Sequence, residues 1–189
     1  MSLIKHLKNS DRQFGWVMII MHWFLVLPIL GLFGLGLYMM DLSYYDPLYT
    51  LAPQIHEAIG MLILLLMVFR LLWKLSNLTP KPPATNSRLV NIASHIAHNF
   101  LYLIIFSVLI SGLLISFAGG QGIQVFDWFV VIGPPELFDN QATLAGDIHY
   151  AAAIGLIALV VLHTLAALKH HFIDKDTTLN NMLGIKEKQ

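Results

Sequence analysis

Nine histidines and no cysteine stand in this 189-residue chain, and His22, His56, His149 and His163 each sit at or within a long run of apolar residues. An ionisable side chain in such a run is costly to bury and is usually kept for chemistry, although a neutral imidazole costs less than a charge and can also link neighbouring helices by a hydrogen bond. Imidazole nitrogen serves as metal ligand, proton carrier or hydrogen-bond donor. His149 and His163 are fourteen residues apart. At about 100° per residue they fall about 40° short of four full turns, so one helix face carries both, about 21 Å apart along the axis. The other histidines are His6, His95-x-x-His98 and His170-His171. The lack of Cys excludes disulfides, thiolate zinc sites, iron-sulfur clusters, a catalytic thiol and covalent c-type haem attachment.

The elements that must position these side chains are written in the composition. Hydrophobic residues make up 57% of the chain and charged residues 12%, with a mean hydropathy of +0.69. Soluble domains carry about 25% charged residues, so this composition is that of a membrane protein. The length allows one domain, and a net charge of zero argues against nucleic acid as a partner. Crossing about 30 Å of hydrocarbon takes about 20 apolar residues, and four stretches qualify: Phe14 to Met40, Ile55 to Leu75, Ile92 to Ala118 and Ile148 to Leu168. The first is too long for a signal-peptide core and lacks a small-x-small cleavage site, so it reads as a retained anchor. A fifth stretch, Ile123 to Gly133, is too short to span and reads as an interfacial segment anchored by Trp128 and Phe129.

Lys and Arg occur in three places only: Lys5, Lys8 and Arg12 before the first span; Arg70, Lys74, Lys81 and Arg88 around the second connection; Lys169, Lys175, Lys186 and Lys188 after the fourth span. The first and third connections with their flanks hold Asp41, Asp46, Glu57, Asp127, Glu136, Asp139 and Asp147 and no Lys or Arg. The positive-inside rule then puts both termini in the cytoplasm. Thr79-Pro80-Lys81-Pro82-Pro83 reads as a stiff link that stops the second span. The expected fold is an all-α membrane protein, an antiparallel bundle of four transmembrane helices.

Within that bundle His149 and His56 stand near the outer surface, and His163 and His22 about two turns from the inner one. Two imidazoles facing each other across a bundle core suit a six-coordinate haem b, whose porphyrin supplies the other four nitrogens. The pairing expected is His56 with His149 and His22 with His163, giving two b haems. His95 and His98 compete for the inner position. Zinc is the alternative metal, but it wants three or four ligands at one point. Gly60, one turn from His56, together with Gly31, Gly34, Gly36, Ala152 and Ala153, offers gaps for a flat macrocycle or for ordinary helix packing. Arg70 and Lys74 are candidate contacts for haem propionates, or snorkelling side chains. Trp23 and Trp73 read as interface anchors or haem-edge contacts, and the methionines of the first span as apolar filling. His170, seven residues beyond His163, falls on nearly the same helix face at the inner boundary.

His22-Trp23, Ile55-His56-x-x-x-Gly60, Arg70-Leu71-Leu72, Pro80-Lys81-Pro82, His95-x-x-His98, His149, His163 and His170-His171 resemble, in that order, the bacterial cytochrome b561 family, which shares a domain with the cytochrome b subunits of nickel-iron hydrogenases. The resemblance runs from about Phe14 to about Leu183. It implies two b haems, with the family's ligand pattern falling on His22, His56, His149 and His163. It also implies electron transfer in the bacterial inner membrane between a donor on the periplasmic side and the quinone pool, ubiquinone or menaquinone, with His170 and His98 as candidate hydrogen-bond partners of the quinone, or as interfacial residues closing the helix. Two forms of that activity follow from the resemblance: a stand-alone superoxide:ubiquinone oxidoreductase, or the membrane anchor subunit of a larger dehydrogenase or hydrogenase. The acidic outer connections suit a basic soluble redox partner. A non-redox class, a proton or metal transporter using the same histidines, predicts no Soret band. A purely structural four-span protein predicts that replacing the histidines does little.

Overall fold

The computed structural model describes residues 7–83, 86–120 and 122–185, so Lys5, His6, Lys186 and Lys188 lie outside the described residues. Four long helices follow one another: α1 (Trp16–Met40), α2 (Leu51–Leu75), α3 (Arg88–Ala118) and α4 (Gln141–Phe172). Each is long and apolar enough to cross a membrane. Helices α2, α3 and α4 run past the apolar stretches that mark them, because backbone hydrogen bonding continues into polar turns, whereas α1 begins two residues inside its stretch. Helix α4, at 32 residues, is about 48 Å long, well beyond the hydrocarbon thickness.

Local chemistry sets several ends. Ser87 caps α3, its hydroxyl accepting from the Val90 amide at 3.3 Å. Pro53 is accommodated in the first turn of α2, where its missing N–H costs nothing. At the start of α4 the Gln141 side chain accepts from the Leu137 amide at 2.8 Å and donates to the Leu114 carbonyl at 2.8 Å, while Glu136 accepts from the Gln141 amide. Gln141 is thereby buried with its polar atoms satisfied. In the loop before α2, the Ser43 amide and hydroxyl both donate to Asp46, which holds that exposed carboxyl below its ordinary pKa.

The fold departs from an all-helical expectation in one place among the described residues. Residues 123–131 form an antiparallel hairpin, β1 (Ile123–Val125) and β2 (Phe129–Val131), in the register Ile123 to Val131 and Val125 to Phe129. The alternation along β1 buries Ile123 and Val125 beside Met61, with Leu113 and Phe117 of α3 against them. Trp128 and Phe129 are left exposed. A short helix, α5 (Thr178–Met182), follows α4.

The chain groups into two compact units. One comprises Met1–Phe24, Met67–Tyr102 and Ile157–Gln189; the other comprises Leu25–Leu66 and Leu103–Leu156. Every Lys and Arg among the described residues falls in the first, and the second holds seven acids and neither Lys nor Arg.

Candidate functional site

In the second unit α2 presents His56 and α4 presents His149, with ring centroids 6.1 Å apart and planes at 68°. His149 is held from behind by α3. Its Nδ1 lies 2.9 Å from the Val108 carbonyl and 3.3 Å from the Ser111 hydroxyl. A carbonyl only accepts, so Nδ1 carries the proton and Nε2 keeps its lone pair. Ser111 is itself buried and donates within its own helix to the Ser107 carbonyl at 2.6 Å and the Val108 carbonyl at 3.0 Å. Among the described residues, the buried Nδ1 of His56 has no hydrogen-bond partner. Two glycines press on these rings. A methyl group at Gly112 would lie 3.2 Å from His149 Cε1, and one at Gly36 would lie 3.4 Å from His56 Cε1. Gly60, Gly31 and Gly34 face open space, with nothing within 4 Å of such a methyl.

The first unit holds a second pair of the same form. His22 on α1 and His163 on α4 have centroids 6.4 Å apart, again at 68°. His98 of α3 packs edge-on against His163 at 5.3 Å, and Trp23 lies 5.2 Å from His22. Arg70 of α2 points at this pair: its Nη2 lies 3.3 Å from His22 Nδ1, and its Nε donates to the Tyr102 hydroxyl at 3.1 Å. Lys74, one turn on, sits 4.4 Å above the Tyr102 ring. Among the described residues neither Arg70 nor Lys74 has an acidic partner.

His170 lies in this unit but pairs elsewhere. Its Nδ1 donates to Asp176 Oδ2 at 2.7 Å, with Asp174 at 3.2 Å. The Asp176 side chain is 2% exposed. Burial alone would raise its carboxyl pKa, but the Thr178 amide and hydroxyl and the His170 ring together hold it below the ordinary carboxylate value. Trp23 donates from Nε1 to the Met182 carbonyl at 2.8 Å, whereas the buried Trp73 Nε1 has no partner among the described residues.

Sequence reasoning missed Tyr102, Ser111, Gly112, Val108 and Asp176. Tyr102 had a signal, since it follows His98 by one turn of helix, and so did the small Ser111-Gly112 pair in an otherwise bulky apolar run. The Val108 carbonyl had none, because a backbone acceptor belongs to every residue type.

Four membrane-length helices carry two imidazole pairs, each with its ring planes steeply inclined to one another, a donor set of the type with which membrane proteins hold a prosthetic group between helices. A family profile described as prokaryotic cytochrome b561 matches residues 13–184. Cytochrome b561 homolog 2 of Escherichia coli strain K12 is 43% identical over 178 residues, covering 93% of this chain and 94% of that protein. The Yersinia pestis protein named probable superoxide oxidase CybB is 30% identical over 182 residues, covering 96% and 98%. The chain belongs to the prokaryotic cytochrome b561 family, and is a multi-pass protein of the bacterial inner membrane. That family implies haem b and electron transfer.

Proposed function

We propose that the chain is a di-haem electron carrier linking a periplasmic donor to the quinone pool, with one haem b between His56 and His149 and the other between His22 and His163. The observation that carries this reading is the pair of ring separations. Two imidazole nitrogens each about 2 Å from an iron, with ring centres about 1 Å behind them, put centroids about 6 Å apart. The separations of 6.1 and 6.4 Å match; the 5.3 Å between His98 and His163 is shorter and suits ring-on-ring packing, which favours His22 as the inner ligand. Open space beside Gly60, one turn from His56 on the same helix, suits a flat macrocycle. Arg70 and Lys74, cations within a span that lack acidic partners among the described residues, suit propionates.

When bound, haem supplies one-electron storage, and the residues do the rest. The Val108 carbonyl accepts from His149 Nδ1 and so leaves Nε2 with the lone pair that would bind iron. The Lys and Arg distribution supports an up-down-up-down bundle with cytoplasmic termini, which puts His56 and His149 at the periplasmic end. His170 and His98, at the opposite end, are the groups that would hydrogen-bond a quinone. The test is a dithionite-reduced minus oxidised spectrum with haem quantified per chain. Two b haems are expected, and His56→Ala and His149→Ala should each lose the same one. Loss of different haems would break the pairing; no haem at all would move the non-redox transporter ahead. His170→Ala with full haem content and unchanged quinone reduction would remove His170 from the quinone site.

The name of the Yersinia relative makes superoxide a second candidate donor. Against it stand seven acids and no Lys or Arg in the unit that holds His56 and His149. A basic redox protein fits that charge better.

A further inference from the structure

The two histidine pairs have closely similar ring geometry and opposite surroundings. Behind His149 stands a carbonyl, which accepts the Nδ1 proton at 2.9 Å. A ligating imidazole that donates in this way is a stronger electron donor to iron. It therefore favours the ferric state and lowers the potential. Beside His22 stands a guanidinium, 3.3 Å from Nδ1. A guanidinium offers no lone pair, so His22 gains no such electron density from it. Its positive charge also disfavours the more positive, oxidised iron. Both effects raise the potential.

Arg70 is held in place for this. Its Nε donates to Tyr102 at 3.1 Å, and Lys74 over the same ring adds a second cation to the unit. The other unit has no Lys or Arg, and Glu57, half-buried, follows His56 directly in sequence. Pairing of Arg70 with a propionate leaves the sign unchanged, since the guanidinium then cancels a negative charge that would otherwise favour ferric iron.

We infer that Arg70, positioned by Tyr102, is the potential-setting residue of the chain. It makes the His22/His163 haem the higher-potential centre, and so directs electrons to it from the His56/His149 haem. Arg70 acts on iron through charge and through His22; it is a positioning and tuning residue. This inference rests on the two-haem reading above.

The experiment uses the full-length protein in detergent, with haem content measured first. In His149→Ala only the His22/His163 haem remains, and in His22→Ala only the other. Redox titration of the α band in each should give the higher midpoint in His149→Ala. Adding Arg70→Gln to His149→Ala should lower that midpoint, Arg70→Lys should restore most of it, and Tyr102→Phe should lower it by less than Arg70→Gln. Arg70→Gln in the His22→Ala background should leave the midpoint unchanged. Equal or inverted midpoints, or no response to Arg70→Gln, would overturn the inference. So would loss of the haem in both Arg70→Gln and Arg70→Lys, which would make Arg70 a retention residue instead. Failure of the two-haem reading shows earlier and separately, as a haem count below two in the unmutated protein.

Discussion

The rings of His56 and His149 are set by glycines as much as by the histidines themselves, and the two glycines are not equivalent. A Cβ at Gly112 would lie 3.2 Å from His149 Cε1, closer than ordinary van der Waals contact, and His149 has little freedom to retreat because Nδ1 is tied to Val108. At Gly36 the corresponding gap is 3.4 Å, and His56 Nδ1 is tied to nothing among the described residues. Gly112→Ala should therefore cost about 1–3 kcal/mol of stability by overpacking and lower the haem content of that pair, while Gly36→Ala should be close to neutral. Haem per chain and thermal unfolding of the two variants check this. Equal effects would show that His149 is freer than its hydrogen bonds imply. At this scale the sequence was a partial guide. The histidine types and spacing pointed to the pairs, because a buried imidazole in a span needs a reason. The Val108 carbonyl and the Arg70 to His22 contact depend on how helices meet, which no single-chain pattern records.

Among the elements, the segment after α4 returns to α1 through two contacts, Trp23 to the Met182 carbonyl and Trp16 over Gly184, and is tied to the end of α4 by His170 to Asp176. Gly184 has φ +71°, and a Cβ there would meet Trp16 at 2.8 Å, so only glycine serves. Gly184→Ala should release the segment at a cost of about 1–3 kcal/mol, seen as faster proteolysis or amide exchange over residues 173–185. The Asp176 carboxyl, which burial would raise but which the Thr178 amide and hydroxyl and then His170 hold down, adds a pH dependence of fixed sign. Because the Asp176 carboxyl is held below its ordinary value, its contribution is complete above about pH 4 and is lost as pH falls through the lower folded value. Asp176→Asn should loosen the segment at neutral pH and flatten that acid dependence; exchange measured across the acid range decides it. The long helices were legible because about 20 apolar residues are a strong signal, though their ends were not, since α2, α3 and α4 continue into polar turns. The hairpin was hidden, as three-residue strands are too short to set up a readable alternation.

For the whole molecule the governing quantity is the distribution of charge. A formal net charge of zero conceals one unit with every described Lys and Arg and another with seven acids and none. The family and the membrane follow from the sequence at this scale, because charge asymmetry and hydropathy need no tertiary detail. On the proposed function, electrons delivered to the His56/His149 pair arrive in the field of those acids, and the dependence of the rate on salt reports the sign of the donor's charge. Attraction is weakened by screening and repulsion is relieved by it. The haem reduction rate by a small basic cytochrome should therefore fall, by about tenfold or more, as ionic strength rises from about 10 to about 200 mM. Reduction by superoxide should instead rise over the same range, because an anion approaches a like-charged surface. A neutral reductant run in parallel separates screening from any effect of salt on the protein. A superoxide rate that falls with salt would mean that a local positive potential guides the anion to the His56/His149 pair, and would raise superoxide above the basic protein as the donor.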